Sequence, residues 1–500
     1  MHRVSTLCVF LVLALTAAIG SGAVQDADAG RLEEARRLFG TWNEGDANRA
    51  AQICVQVDSP ESVEVLLEVL RREQPRSNAL APAHFRDIAW GALLEIKDRY
   101  ARKAVEAELK QNKKNPRVRQ WCAEVLGEYA DLDFGEALTR ALTDKEDFVR
   151  AAAARALGKT RYEPAQKALE KSSSSSDAFV RANSIEALAL VAPASNLKRY
   201  EKGLKDKDGG VRCALLATAP VAYPDLAERL STEALDDEDW RPRAQATDNL
   251  GGIKTKTSVD ALIRATEDGR PTVGLRAITN LQKLTGQAHT RADQWKRWWA
   301  ENRETFAFPE GTGAVTRVEG ATVTTFNGIQ LTSDHVAFLM DKSKAMNDQL
   351  SSRGCTKDAA AHQELTGVFE SLEDGLDFNI FNYALEVDAF QKQAVELTKV
   401  TARKGLTFHA EGRIDGAKDI WAVLESVLSD PTLDTAYLLS SGEPDVGLYV
   451  HWNRVTWQLR ELNRFHKITV HSIAYSDNDW YAQQLERISD CTDGEFRRFQ

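Results

Sequence analysis

The chain has 500 residues, with 64 Lys and Arg against 74 Asp and Glu, a net charge of −10, and 43% hydrophobic residues. That length exceeds what one hydrophobic core serves, so two or more domains are expected. The acidic balance argues against nonspecific attraction to nucleic acid or to an anionic membrane, and no basic patch offsets it: charges alternate in sign, as in "LTDKEDFVR" and "LKDKDGGVR".

The chain begins with a short basic start, then an apolar run from Leu7 to Gly20, then small and acidic residues. This is the layout of a secretory leader covering 1–23, with Ser21 and Ala23 at the −3 and −1 positions of a cleavage site. The run is shorter than the roughly 20 residues that span a bilayer. A secreted or periplasmic (cell-envelope) protein with no integral membrane segment after cleavage is therefore expected, an uncleaved anchor being the alternative. Without Cys8 of the leader, five cysteines remain: Cys54, Cys122, Cys213, Cys355 and Cys491. They do not form a disulfide framework. Pairing of Cys355 with Cys491, the two in the second half, stays open.

From about 30 to 286 an arginine recurs: Arg86, Arg119, Arg150, Arg181, Arg212, Arg243 and Arg276, at intervals of 33, 31, 31, 31, 31 and 33. Three residues on stands a mostly small side chain (Ala89, Cys122, Ala153, Ser184, Ala246, with Leu215 the exception). Seven on stands an apolar one (Leu93, Leu126, Leu157, Leu188, Ala219, Leu250). Positions +3 and +7 share one helix face and bury together. The pattern reads as helix, short turn, helix, repeated into an α-solenoid, with an earlier divergent unit from Arg49. The recurring arginine is expected to be structural, reaching acidic or carbonyl groups of a neighbouring repeat. Pro220 should end or kink its helix early, and the serines at 172–176 should form a polar loop or frayed helix end.

Segments such as "DFVRAAAARALG" (147–158) and "NPRVRQWCAEVLG" (115–127) resemble HEAT repeats of the short bacterial kind, with a D-x-x-V-R-x-x-A-x-x-A-L-G signature. The resemblance implies an extended groove for holding partners.

Residues 287–334 are read as a closing helix and a strand-containing linker. Trp295, Trp298 and Trp299 lie on one helix face, read as closing the end of the solenoid, with a carbohydrate- or membrane-facing role the alternative. Turns are expected near Glu319-Gly320 and Asn327-Gly328. From 335 to 500 strands alternate with helices: strands at 335–341, 377–383, 434–440 and 467–475, helical patterns at 417–428 and 455–465. Such alternation predicts a mostly parallel sheet covered on both faces.

The segments "FNGIQLTSDHVAFLMDKSKAM", "DTAYLLSSGEP" and "ITVHSIAY" resemble a von Willebrand factor type A (VWFA) domain, a doubly wound, Rossmann-like α/β fold, as found after HEAT repeats in exported bacterial proteins. The resemblance implies a metal-ion-dependent adhesion site at the carboxyl ends of the strands, where Mg²⁺ or Mn²⁺ takes hard oxygen ligands and leaves one position for a partner's carboxylate. Asp341 and Ser343 match the first two family ligands. The third position is Ala345, the threonine position falls on Lys418, and the last aspartate is replaced by Ser441. The set is degenerate, with no metal or other cofactor expected, and Lys418 is a candidate fixed positive charge near Asp341. Asp415, Asp419 and Glu443 are the neighbouring acids that could supply replacement oxygens, although Glu443 belongs to the ordinary "GEP" turn of the family it resembles and is no evidence of compensation.

No H-E-x-x-H, G-x-S-x-G, G-x-x-x-x-G-K-[ST] or C-x-x-C motif occurs, and His409, His451, His466 and His471 read as ordinary strand or surface histidines. The expected protein is a multidomain, non-enzymatic binding or scaffolding protein with a protein partner and no nucleic acid. Two rivals stand beside it: Mg²⁺- or Mn²⁺-dependent adhesion to an acidic partner through Asp341 and Ser343, and an envelope enzyme whose site carries no recognisable motif.

Overall fold

The computed structural model describes residues 26–41, 43–72, 82–311, 313–314, 324–372 and 375–499. The leader expected over 1–23 and the turn at Glu319-Gly320 lie outside the described residues. The chain forms two compact units divided between Thr160 and Arg161.

The first unit is all helical: α1 (26–38), α2 (Glu44–Val57), α3 (Pro60–Leu70), α4 (Pro82–Glu95), α5 (Arg99–Gln111), α6 (Pro116–Tyr129), α7 (Gly135–Ala141) and α8 (Asp147–Thr160). Helix starts follow local chemistry. The side chains of Asn43, Ser59, Asp98 and Asn115 accept first-turn amides, and Pro60 and Pro116 take first-turn positions where no amide is needed. Cys122 and Leu126 of α6, and Ala153 and Leu157 of α8, are fully buried at positions +3 and +7. Gly127 explains how closely α6 and α8 approach: a Cβ there would lie 2.7 Å from that of Ala156.

The second unit continues in sequence with α9 (Gln166–Ser172), α10 (Ala178–Val191), α11 (Pro193–Gly203), α12 (Gly209–Ala222), α13 (Pro224–Ala234), α14 (Trp240–Gly251), α15 (Lys256–Ala265), α16 (Pro271–Thr285) and α17 (Ala292–Asn302). The recurring arginine is structural, as expected. Arg119 in the first unit, and Arg181, Arg212 and Arg243 in the second, each grip an aspartate 25 residues on (Asp144, Asp206, Asp237, Asp268) through two bonds of 2.6 to 3.0 Å. A third donor takes a carbonyl of the preceding turn, as Arg212 does with Asp206 at 2.6 Å. Arg276 departs from the pattern and reaches back to Asp248.

Leu215, too large for its position, is accommodated because α11 presents Gly203, where a Cβ would lie 2.6 Å from the Leu215 side chain. Pro220 does not end α12 early: the helix runs on to Ala222. A proline cannot donate to the carbonyl four residues back, and that carbonyl, Leu216, instead accepts the side-chain amide of Asn249 at 2.9 Å. The serine run ends α9 and turns the chain, its carbonyls at Ser175 and Ser176 bonding Arg181. Trp295 and Trp299 of α17 are buried in the repeat core, with Trp299 Nε1 donating to Asp260 at 2.6 Å, as a closing helix requires.

A hairpin of β1 (Thr325–Phe326) and β2 (Ile329–Gln330) follows. Its turn residues Asn327 and Gly328 are both left-handed, as a tight two-residue hairpin demands. The α/β domain then comprises β3 (His335–Asp341), β4 (Gln349–Leu350), β5 (Cys355–Thr356), α18 (Lys357–Ser371), β6 (Asp377–Tyr383), β7 (Val387–Ala389), β8 (Val395–Glu396), α19 (Lys399–Glu411), α20 (Ile420–Leu428), β9 (Thr435–Ser440), α21 (Trp452–His466), β10 (Thr469–Tyr475), α22 (Asp479–Asp490) and β11 (Phe496–Phe499). The sheet order is β11-β10-β9-β3-β6-β7, with β8 also on β6. All pairings are parallel except those of β7 and β8. Alternation along β3 sends Ala337 and Leu339 to one core with α20, α21 and α22, and Val336, Phe338 and Met340 to another with α18 and the hairpin. Cys355 and Cys491 pack on these opposite faces and are free thiols.

Within this unit the α/β domain sits against helices α10, α12, α14 and α16. Arg464 meets Glu186 and Asn183, Lys467 meets Asp248, Arg270 meets Asp434, Arg276 meets Thr469 and Asp493, and Trp240 Nε1 donates to the Pro431 carbonyl. Four helices of the repeats are thus partly covered by the chain's own α/β domain.

Candidate functional site

Doubly wound sheets place ligands outside the carboxyl ends of the strands where the winding reverses. Here the reversal lies between β3, which leads to β6 on one side, and β9, which leads to β10 on the other. Asp341 ends β3 and Ser441 follows β9, so the fold brings together two residues 100 positions apart. The loop 412–419 lies over the same end. The Asp415 amide bonds the Lys342 carbonyl, the Lys344 amide bonds the Gly416 carbonyl, and the Asp419 amide bonds the Ala384 carbonyl. Lys418 therefore does stand at this site.

The geometry of Asp341 is closed. Its Oδ1 accepts the Ser343 amide at 2.7 Å, and its Oδ2 accepts both the Ser441 amide at 2.8 Å and the Ser441 hydroxyl at 2.6 Å. The Ser343 and Ser441 hydroxyls lie 3.3 Å apart. Asp341, Ser343, Lys418 and Ser441 are 0%, 1%, 5% and 7% exposed, so all four are buried. Ala345 brings no side-chain oxygen, and its carbonyl accepts the Asp348 amide at 3.2 Å. An octahedral divalent cation takes several free hard oxygens and retained waters, whereas both Asp341 oxygens here accept protein donors. Ser441 puts a hydrogen-bond donor where a second carboxylate would be required.

Lys418 has an acid of its own at the site. Its ammonium pairs with Asp445 at 3.5 Å, and its backbone exchanges further bonds with the same residue: its amide donates to the Asp445 carboxylate at 3.0 Å and its carbonyl accepts the Asp445 amide at 2.9 Å. The hydrogen bonds to Asp341 come from the two serines instead. Two of the neighbouring acids, Asp415 and Asp419, have partners of their own. Asp415 pairs with Arg413 at 2.8 Å, and Asp419 caps α20 by accepting the Ala422 amide at 2.8 Å. Burial, with Glu425 adding to it, pushes the Asp419 carboxyl up to about 6 against the pull of the helix-start amides.

Beside the site, Lys342 Nζ meets Asp358 at 2.6 Å. Burial pulls this ammonium below its ordinary value, opposed by Asp358 and Asp341. His409 is fully buried with Nδ1 at 3.0 Å from Asn382 Oδ1, and burial, then Lys342 and His362, lower it to about 2, so it is a neutral core histidine. His471 stacks on Tyr437 with ring centres 4.9 Å apart, and His466 lies against the repeats beside Phe179.

Sequence reasoning missed one cluster, at the opposite end of the sheet, where ligand atoms of Asp334, His335 and Asp434 come within 4.8 Å of one another. Asp434 lies about a hundred residues from the adjacent pair Asp334 and His335, and the three carry no motif. Asp434 is held there by Arg270 at 2.7 Å, Ser333 at 2.5 Å and Thr435 at 2.8 Å, so it serves as the seat of an ion pair.

A family profile for HEAT repeats matches residues 103–189. No curated protein matches the chain. Among solved structures, a von Willebrand factor type A protein from Catenulispora acidiphila is similar at 13% identity and a TM-score of 0.28, covering 34% of this chain and 40% of its own. The CpcE–CpcF complex of phycocyanin lyase from Nostoc sp. is similar at 17% identity and 0.30, covering 48% and 94%. The Cnd3–Cnd2 condensin subcomplex of S. pombe is similar at 15% identity and 0.35, covering 54% and 42%. The chain thus spans well under half of the first of these. Similarities at this level bear on no activity, substrate or partner.

Proposed function

We propose that this chain is an exported, non-enzymatic scaffolding protein that holds a protein partner at the carboxyl end of its sheet without a divalent metal. The observation that carries the reading is the satisfied carboxylate of Asp341. Three protein donors occupy it, and a cation would have to displace them from a buried site. The repeat region and the α/β domain fit a binding or scaffolding protein. Two of the large apolar side chains exposed among the described residues, Leu385 after β6 and Trp480 at the start of α22, lie at this same end of the sheet, 45% and 42% exposed. The export half of the proposal rests on the leader-like residues 1–23, and no helix among the described residues is long and apolar enough to cross a membrane.

The test is calorimetric titration of Mg²⁺ and Mn²⁺ into the full chain beside an Ala345→Ser/Lys418→Thr/Ser441→Asp variant. A silent native chain and a binding variant support the proposal. Micromolar binding by the native chain overturns it in favour of metal-dependent adhesion to an acidic partner. A photoreactive residue at Leu385 or Trp480 should then capture the partner in cell envelopes, whereas one at Tyr100 should not.

A further inference from the structure

We infer that the face formed by α10, α12, α14 and α16 is a receptor for a basic–aromatic helix end, and that the end of α21, Arg464-Phe465-His466-Lys467, is its ligand in cis. Four features of different kinds converge on it. Arg464 gives one nitrogen to both oxygens of Glu186, at 2.6 and 2.8 Å, and another to Asn183 at 3.2 Å. Phe465 is 4% exposed and belongs to the hydrophobic core of the repeats rather than to that of its own domain, with its ring 4.6 Å from Phe179. Gly210 at the start of α12 leaves the space: a Cβ there would lie 3.1 Å from the Phe465 carbonyl oxygen. Lys467 caps α21 in a left-handed conformation (φ 58°), usually left to glycine, and its ammonium lies 2.5 Å from Asp248.

The receptor is written into the repeat period. Glu186 and Asp248 occupy the same position, five residues after Arg181 and Arg243, in repeats two apart, and the repeat between them has Ala217 there. Burial pushes Asp248 up, but Lys467 and Arg276 outweigh it and hold the carboxyl at about 2, so it stays charged for its partner. Arg464 has Glu461 on its own helix at 3.6 Å, a longer contact than those to Glu186. The face thus pairs two acids with two bases around one aromatic anchor, the arrangement by which an interface selects its partner through charge and anchors it through a ring. A second protein presenting a helix that ends in Arg-Phe-x-Lys would compete for the same seat, so the domain closes the array against such partners.

The test uses charge exchange in the full chain. Arg464→Glu/Lys467→Glu and Glu186→Lys/Asp248→Lys should each open the joint to limited proteolysis and lower the thermal midpoint of the folded chain. The fourfold exchange should recover at least half of each loss. A fourfold variant no better than the sum of the two pairs, or reversals that change neither readout, would overturn the inference. Should a reversed chain fail to fold, a fluorescent peptide of residues 452–469 replaces it as the probe. Its anisotropy should report at least tenfold tighter binding to an Arg464→Ala/Phe465→Ala chain than to the native one, lost on adding Glu186→Gln. Equal affinity for the two chains, or no binding to either, would refute it.

Discussion

Asn249 and Pro220 show how a single residue's meaning depends on its neighbour in space. A proline inside a helix leaves the carbonyl four residues earlier without its usual donor, and Asn249 of the next repeat supplies one to Leu216 at 2.9 Å while also bonding Ser231 at 3.0 Å. Asn249→Ala should cost about 2 kcal/mol, because it strands a buried acceptor. In a Pro220→Ala background the restored amide serves that carbonyl, and the cost should fall by about 1 kcal/mol, as urea unfolding of the four chains would register. Asp419 gives a pH-dependent case. Its folded carboxyl keeps a proton up to about 6, whereas an unfolded aspartate releases it near 4 (about 3.9). The folded chain therefore binds more protons across that window, and this residue's contribution to stability falls as pH rises from about 4 to 6. Asp419→Asn keeps an oxygen for the Ala422 amide and removes the charge. It should stabilise the chain by about 1–2 kcal/mol at pH 7.5 and change little at pH 4, measured as the shift in urea midpoint. A gain of the same size at both pH values would show that the charge is not the cause.

Among elements, the repeats are tied by arginine–aspartate grips in addition to their apolar seams. Arg212 and Asp237 are nearly buried, with side chains 7% and 12% exposed, and share two bonds of 2.7 and 2.6 Å. Removing one partner of such a pair leaves the other's charge uncompensated, whereas removing both does not. Arg212→Met alone should cost about 3 kcal/mol, and Arg212→Met/Asp237→Leu well under the sum of its two single changes. An additive result in urea unfolding would mean that the grip is not a coupled unit. The strands show what periodicity can and cannot reveal. Those expected at 335–341 and 377–383 coincide with β3 and β6, and those at 434–440 and 467–475 begin one and two residues before β9 and β10. These are interior strands, buried on both faces and rich in apolar residues, although Asn379 and Asn382 interrupt β6 and His471 and Ser472 interrupt β10. The short edge strands β7, β8 and β11 escaped notice because their sequences, "VDA", "VE" and "FRRF", carry half-exposed or charged residues and too few positions to show a period.

At the scale of the molecule, the second unit joins repeats and α/β domain through buried or nearly buried charges: Arg270 with Asp434, Arg464 with Glu186, Lys467 with Asp248. This changes where a partner is to be sought. A repeat array read in isolation offers a groove along its Arg-bearing helices, but here four of those helices hold the α/β domain. The carboxyl end of the sheet, with Leu385 and Trp480, is the surface on which the metal-titration and crosslinking experiments bear.

The sequence by itself determined the repeat period, the closing tryptophan helix, the strand–helix alternation and the positions of Asp341, Ser343, Ala345, Lys418 and Ser441. Each of these is a local pattern, set by residue type at short or regular spacing. Tertiary structure alone decided what those positions do. Ser441 satisfies Asp341 across 100 residues, Lys418 turns to Asp445, Asn249 rescues the helix containing Pro220, and the end of α21 packs on the repeat face. The physical reason is the same in each case: a hydrogen bond or ion pair between distant segments is selected by geometry, and no spacing along the chain announces it.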